Sequence, residues 1–141
     1  MNKLTVRVAD WHADNADLRR IREAVFIVEQ GVPPELEWDA DDVDAVHFLA
    51  FEGDFAVGAS RLLPDGQIGR VSVLKDWRGL HIGELLMQAT IAEAERRDLK
   101  QQKLTAQAHA IRFYERLGFR VASEEFLEAG IPHVEMVRDS A

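Results

Sequence analysis

The chain has 141 residues, 47% of them hydrophobic and 30% charged, with no cysteine and a formal net charge of −8. A chain of this length forms one domain, residues 1–141, with room for a core, and the missing cysteine excludes disulfides, thiolate–zinc sites and a cysteinyl acyl-enzyme. The acidic balance argues against nucleic acid as a partner, which would need clustered Lys and Arg, and no apolar run approaches the roughly 18 residues of a membrane span.

The opening stretch alternates like a strand over residues 4–8 and has no signal-peptide apolar core, so a cytoplasmic location is expected. Over residues 14–28 the apolar positions Leu18, Ile21, Val25 and Val28 recur at three- and four-residue steps, which predicts a helix. "EQGVPPELEWDADDVD", residues 29–44, is broken by Gly31, Pro33 and Pro34 and predicts a loop. Its acidic end, residues 39–44, lacks the glycine and glutamate spacing of a calcium loop and is expected to be solvated.

Three strand-like runs follow, "AVHFLAFE", "FAVGASRLL" and "QIGRVSVL". They are joined through Gly53-Asp54 and Pro64-Asp65-Gly66, turn signals that predict a three-stranded antiparallel meander. Arg61 and Arg70 on neighbouring strands either line a binding site or sit on the outer face. A helix is predicted over residues 82–97, a strand over 103–107 and a short helix over 110–117, with Gly118 as its left-handed C-cap. The tail from "FRVASEEF" through Gly130 to "HVEMV" predicts a closing hairpin. Strands in a block before the central helix make the class α+β.

Between the third meander strand and the central helix lies "RGLHIG", residues 78–83. A helix N-terminus preceded by a glycine turn presents free N–H groups and a favourable dipole to an anion. Gly79 and Gly83 would let phosphate oxygens reach the main chain, with Arg78 adding a charge. Neither a Walker loop nor a Rossmann fingerprint is present. Packing of the helix against the sheet would also explain Gly83.

The downstream segment "QAHAIRFYERLGF" holds the single tyrosine. Together, "IGRVSV" with "WRGLHIG" and this segment resemble the GNAT superfamily of N-acetyltransferases. The first matches the family's [QR]-x-x-G-x-[GA] pyrophosphate loop, the second its N-x-x-A-x-x-[FL]-Y-x-x-x-G-F segment. "VFIVEQGVPPELEWDADDVDAVHFLAF" and "EEFLEAGIPHVEM" resemble the ElaA-type branch, so the likeness covers nearly the whole chain. It implies a three-layer α/β/α fold around a mostly antiparallel, splayed sheet of about seven strands.

The resemblance implies acetyl-CoA as acyl donor and an amine acceptor that attacks the thioester directly, without a metal. Arg78, Gly79, Leu80, His81, Ile82 and Gly83 would hold the pyrophosphate, and the main chain of Val71 and Val73 would pair with the pantetheine arm. Gln107 would hydrogen-bond the cofactor, and Tyr114 would protonate the departing thiolate. Two positions depart from the pattern. His81 stands where the family usually has glycine, and Gln107 where it often has asparagine. Arg70 occupies the place of a glutamate base found in some members, which leaves Glu29, His109 and His133 as candidates by type. A non-catalytic acyl-CoA-binding or sensor module on the same fold is the alternative, and relatives of this fold often pair as homodimers.

Overall fold

The computed structural model describes residues 3–140. Its eight strands form two four-stranded sheets rather than one sheet of seven. The first sheet is antiparallel, in the order β1 (Leu4–Ala9), β2 (Val46–Glu52), β3 (Phe55–Leu62), β4 (Ile68–Val73). In the second, β5 (Gln101–Gln107) and the short strands β6 (Arg120–Val121) and β7 (Phe126–Glu128) all pair with the long β8 (Ile131–Asp139). The extra strand arises because the tail folds back twice on β8. Between the sheets a single parallel bridge joins Gln67 to Lys103, with the Lys103 N–H 3.2 Å from the Gly66 carbonyl. Among the described residues β4 and β5 form no ladder beyond it, so they meet at their starts and part at their ends.

Side chains alternate across the first sheet, which sorts its two faces. Leu49, Ala56 and Ala59 bury against Leu18 and Ile21 of α1 (Asn15–Arg22). Phe48, Ala50 and Val57 bury against Ile82 and Leu86 of α4 (Ile82–Arg96). Further along α4, Met87, Ile91 and Ala94 reach Leu104, Ala106, Val134 and Met136 of the second sheet. One helix thus covers the junction of both sheets, giving three layers. It sits tightly, because a Cβ on Gly58 of β3 would stand 3.0 Å from both Leu86 Cδ1 and the Ser72 carbonyl. No described helix is long and apolar enough to cross a membrane.

The first helix departs from its predicted periodicity. After Arg22 it widens into a π-helical segment, Glu23–Glu29, and Gln30 N–H bonds to Val25 O at 3.1 Å, five residues back. More residues per turn rotate later side chains off the α-helical stripe. Leu18, Ile21 and Val25 are buried as expected, whereas Val28 is 75% exposed.

The region read as a loop contains two single turns, α2 (Pro34–Glu37) and α3 (Asp41–Asp44). Pro34 opens the first of them, a position where its missing N–H does no harm. The acidic end is not simply solvated. Glu37 and Asp42 are each 1% exposed, as is Arg22 beneath them, and Arg61 is 5% exposed. Arg22 donates from Nε to Glu37 Oε2 at 2.7 Å and from Nη1 to Asp42 Oδ1 at 2.8 Å. Arg61 Nη1 donates to Asp42 and Asp39, both at 2.9 Å. His47 Nε2 donates to the Asp42 carbonyl at 2.7 Å and stacks on Trp11, while Trp38 covers Arg22 at 4.9 Å. The carboxylates turned inward because buried guanidiniums on α1 and β3 require them.

Burial pushes the Glu37 carboxyl up despite Arg70 and Arg22. Burial also acts upward on Asp42, but the hydrogen bonds and charges of Arg22 and Arg61 hold it below the usual range.

Two outcomes follow from this packing. Arg22→Met leaves two buried carboxylates short of a partner and is expected to cost about 3–5 kcal/mol, read as a lower urea midpoint. Gly58→Ala overpacks the seat of α4 and is expected to cost about 1–3 kcal/mol in the same assay. Parent-like midpoints would contradict these assignments.

Candidate active site

The candidate site lies where β4 and β5 part. β4 carries a bulge where its register with β3 shifts between Ala59 and Arg61, and Arg70 there takes a left-handed φ of 53°. Bulges and strained residues re-aim side chains and concentrate near functional sites. Arg70 leaves the sheet toward the Leu36 and Glu37 carbonyls, at 3.3 and 3.4 Å, and its buried Nε has no hydrogen-bond partner. Arg61 faces the buried carboxylates instead of a cleft. Beyond the bulge, Leu74 N–H bonds back to Val57 O at 2.9 Å. By antiparallel alternation Val73 therefore turns its own N–H and C=O to the open side, toward β5.

A 3-10 turn, Lys75–Trp77, leads to extended Arg78, then Gly79 at φ 80° and His81 at φ 63°. Gly79 is the residue that turn requires. His81 sits in the left-handed region too, where a side chain costs about 1 kcal/mol and glycine would be unstrained. Its ring is 83% exposed, 3.4 Å from Glu84. α4 then begins with no side chain capping its first N–H groups. A Cβ on Gly83 would meet only the Phe113 ring at 3.5 Å and Val73 Cγ2 at 4.0 Å, ordinary contact. Packing within the chain therefore does not demand glycine at 83.

Arg78 does not offer a free charge to this loop. Its Nη1 and Nη2 donate to the two Glu29 carboxylate oxygens at 2.6 and 2.7 Å, and Nε donates to Val73 O at 3.0 Å. The hydrogen bonds from Arg78 hold the Glu29 carboxyl below its usual range. Leu80 is 46% exposed and Ile82 is buried under the sheet. Val71 is half-buried against the core that joins the two sheets.

On the other lip, Gln107 ends β5 and its Nε2 donates to Gln30 Oε1 at 2.9 Å. His109 Nε2 donates to Gln107 Oε1 at 2.6 Å. α5 (Ile111–Arg116) follows and carries Tyr114, packed edge-on against Phe113 and Phe119 with ring centroids at 5.0 and 6.1 Å. Burial pushes its phenol up to about 12. His133 is 8% exposed and donates from Nδ1 to Ile131 O at 2.6 Å.

Packing brings the start of α4, the end of β4 and α5 together, since Gly83 faces both Phe113 and Val73. Gln107 is tied through Gln30 to the helix end that also holds Arg78, and Val71 and Tyr114 pack against the core that joins the sheets. An open groove of about 340 Å³ lined by Thr5, Arg7, Phe51, Gly53 and Asp54 lies at the far edge and contains none of them. Gln30 carries little signal in the sequence beyond its place beside Glu29 at a helix end, before Gly31 at φ 73°. Arg22 has a clearer signal: it falls four residues after Leu18 and three before Val25, on the buried stripe.

An acetyltransferase (GNAT) domain model matches residues 13–140. An uncharacterized N-acetyltransferase of Bacillus subtilis, YjcF, is 40% identical over 84% of this chain and 88% of its own length. Protein ElaA of Escherichia coli is 37% identical over 86% of this chain and 85% of its own. The crystal structure of E. coli ElaA superposes with a TM-score of 0.85 at 32% identity, covering 99% of this chain and 100% of that one. An acyl-CoA N-acyltransferase structure from Pseudomonas aeruginosa gives 0.82 at 34% identity, covering 98% and 99%. The chain belongs to the GNAT acetyltransferase family, in its ElaA-type branch.

Proposed function

We propose that the protein transfers the acetyl group of acetyl-CoA to a primary amine of a small molecule or peptide, by direct attack within a ternary complex. The observation that carries this reading is the uncapped start of α4, with Gly83 kept bare though its neighbours leave room for a Cβ. Backbone N–H groups of Arg78 to Gly83 would receive the pyrophosphate, aided by the helix dipole. His81 supplies its N–H there while its ring points to solvent. Since Arg78 is neutralised by Glu29, its contribution is main-chain geometry rather than charge.

The pantetheine arm would lie between β4 and β5. Val73 O already accepts from Arg78, so the Val73 N–H is the group left to pair with a pantetheine carbonyl. The main chain at Val71 would extend that edge inward, and Gln107 would border it from β5. The amine nitrogen then bonds to the thioester carbonyl carbon, the C–S bond breaks, and the proton lost by nitrogen must reach sulfur.

Tyr114, held protonated by burial, is the donor for that sulfur. A phenol near 12 keeps its proton more tightly than a thiol near 8.5, so full transfer alone would run uphill. Tyr114 therefore hydrogen-bonds the developing thiolate and yields its proton only as it regains one from the amine.

Calorimetric titration with acetyl-CoA and with CoA is expected to show binding that Gly83→Val weakens at least about tenfold, a loss of about 1.4 kcal/mol. Absence of binding by the folded parent would overturn the reading, and binding without turnover of any amine would favour the acyl-CoA-binding module. Tyr114→Phe is expected to lower kcat by about 10²-fold with little change in acetyl-CoA affinity. Because the phenol titrates at about 12, no loss of kcat from its ionisation is expected between about pH 8 and 10. An unchanged kcat in Tyr114→Phe would remove the residue from the mechanism.

A further inference from the structure

We propose that Glu29 and Gln30 are positioning residues, a two-armed clamp that sets how the lips of the cleft stand and which hydrogen-bonding groups they show. The proposal rests on the acyl-CoA reading of that cleft. The two residues are consecutive at the end of the first helix, yet each holds a different sheet. Both Glu29 oxygens accept from Arg78, at 2.6 and 2.7 Å, and Arg78 in turn caps the Val73 carbonyl on the β4 side. Gln30 accepts from Gln107 on the β5 side at 2.9 Å.

The main chain needs this help. Among the described residues it provides one bridge between the sheets, Gln67 to Lys103, at the closed end of the cleft. At the open end, side chains from the first helix span the gap. The π-helical widening lets them do so: Gln30 N–H reaches back to Val25, Val28 is turned out to solvent, and the next two residues face the lips. Such widened turns are often found at functional sites.

The arms also fix polarity. With its carbonyl held by Arg78, Val73 presents a donor alone to whatever lies along β4. With its amide nitrogen given to Gln30, Gln107 keeps its oxygen toward His109, which donates to it at 2.6 Å. Glu29 itself is unsuited to accept a proton from an amine, because the Arg78 hydrogen bonds hold its carboxyl below the usual range. The Glu29–Arg78 pair is partly exposed, at 37% and 41%, so its loss should leave the fold intact.

The test uses Glu29→Gln, Gln30→Ala and Arg78→Gln, with Glu29→Gln also placed on the Arg78→Gln background. Thermal unfolding confirms that each variant is folded, and calorimetry with CoA and acetyl-CoA and steady-state kinetics then follow. Each single variant is expected to raise Kd and KM for acetyl-CoA roughly three- to tenfold, with kcat within about twofold of the parent. Adding Glu29→Gln to Arg78→Gln is expected to weaken binding no further, because both act through the Val73 carbonyl. Parent-like Kd and KM in folded Glu29→Gln and Gln30→Ala would overturn the clamp while leaving the acyl-CoA reading standing. A fall in kcat with KM steady would also overturn it and mark Glu29 as the base. A parent that binds neither CoA nor acetyl-CoA would remove the acyl-CoA reading and the clamp together.

Discussion

Among the described residues one main-chain bridge, Gln67 to Lys103, joins the two sheets, and the architecture is organised around what happens past it. Strand edges carry unmet N–H and C=O groups, and folded proteins pair, cover or blunt them. Here two such edges face each other inside the molecule, and the parting is sustained from both sides. α4 fills one side, packing on the first sheet through Ile82 and Leu86 and on the second through Met87, Ile91 and Ala94. The close seat at Gly58 fixes how near that helix comes, and so where its bare N-terminus lies relative to Val73. The parting of the strands is thus a consequence of packing, which leaves the main chain at Val73 and at the start of α4 open.

The opposite face combines the apolar seat of α1 with a buried cluster of charges. Arg22, Arg61 and Arg70 stand against Glu37, Asp39 and Asp42, at separations from 2.7 to 3.7 Å. Such a cluster adds little net stability, since desolvation offsets attraction, but it penalises any arrangement that separates its members. It ties α2 and α3 down over β2, β3 and β4. Its two buried carboxyls respond oppositely to pH. Asp42, held low, contributes stability above its unfolded value that is lost as pH falls through the folded one. Glu37, held high, costs stability once the unfolded chain ionises, so the two partly cancel in acid.

Much of this was legible in the sequence. The meander, α4 starting at Ile82, the strand ending at Gln107 and Gly118 at φ 95° all follow from periodicity and turn chemistry that local sequence determines. The loop 78–83 was legible because two glycines in a short span are a backbone requirement written directly in residue type. What escaped was set at long range. Val28 fits an α-helical stripe, and only the π widening puts it outside. Asp42 reads as surface until Arg22 and Arg61, from elements far apart in the chain, meet it in the interior. Arg78 reads as a phosphate-binding cation until Glu29, 49 residues away, closes on it. Charge partners at such separations leave no local pattern.

The central claim is that the open edge of β4 and the start of α4 form an acyl-CoA site. Its most direct test is to follow backbone amide resonances while CoA is added. The account predicts saturable shifts concentrated at Val73, at Gly79 to Glu84 and around Gln107, with residues of the Thr5, Arg7 and Phe51 groove unmoved. Shifts centred on that groove, or none that saturate, would contradict it.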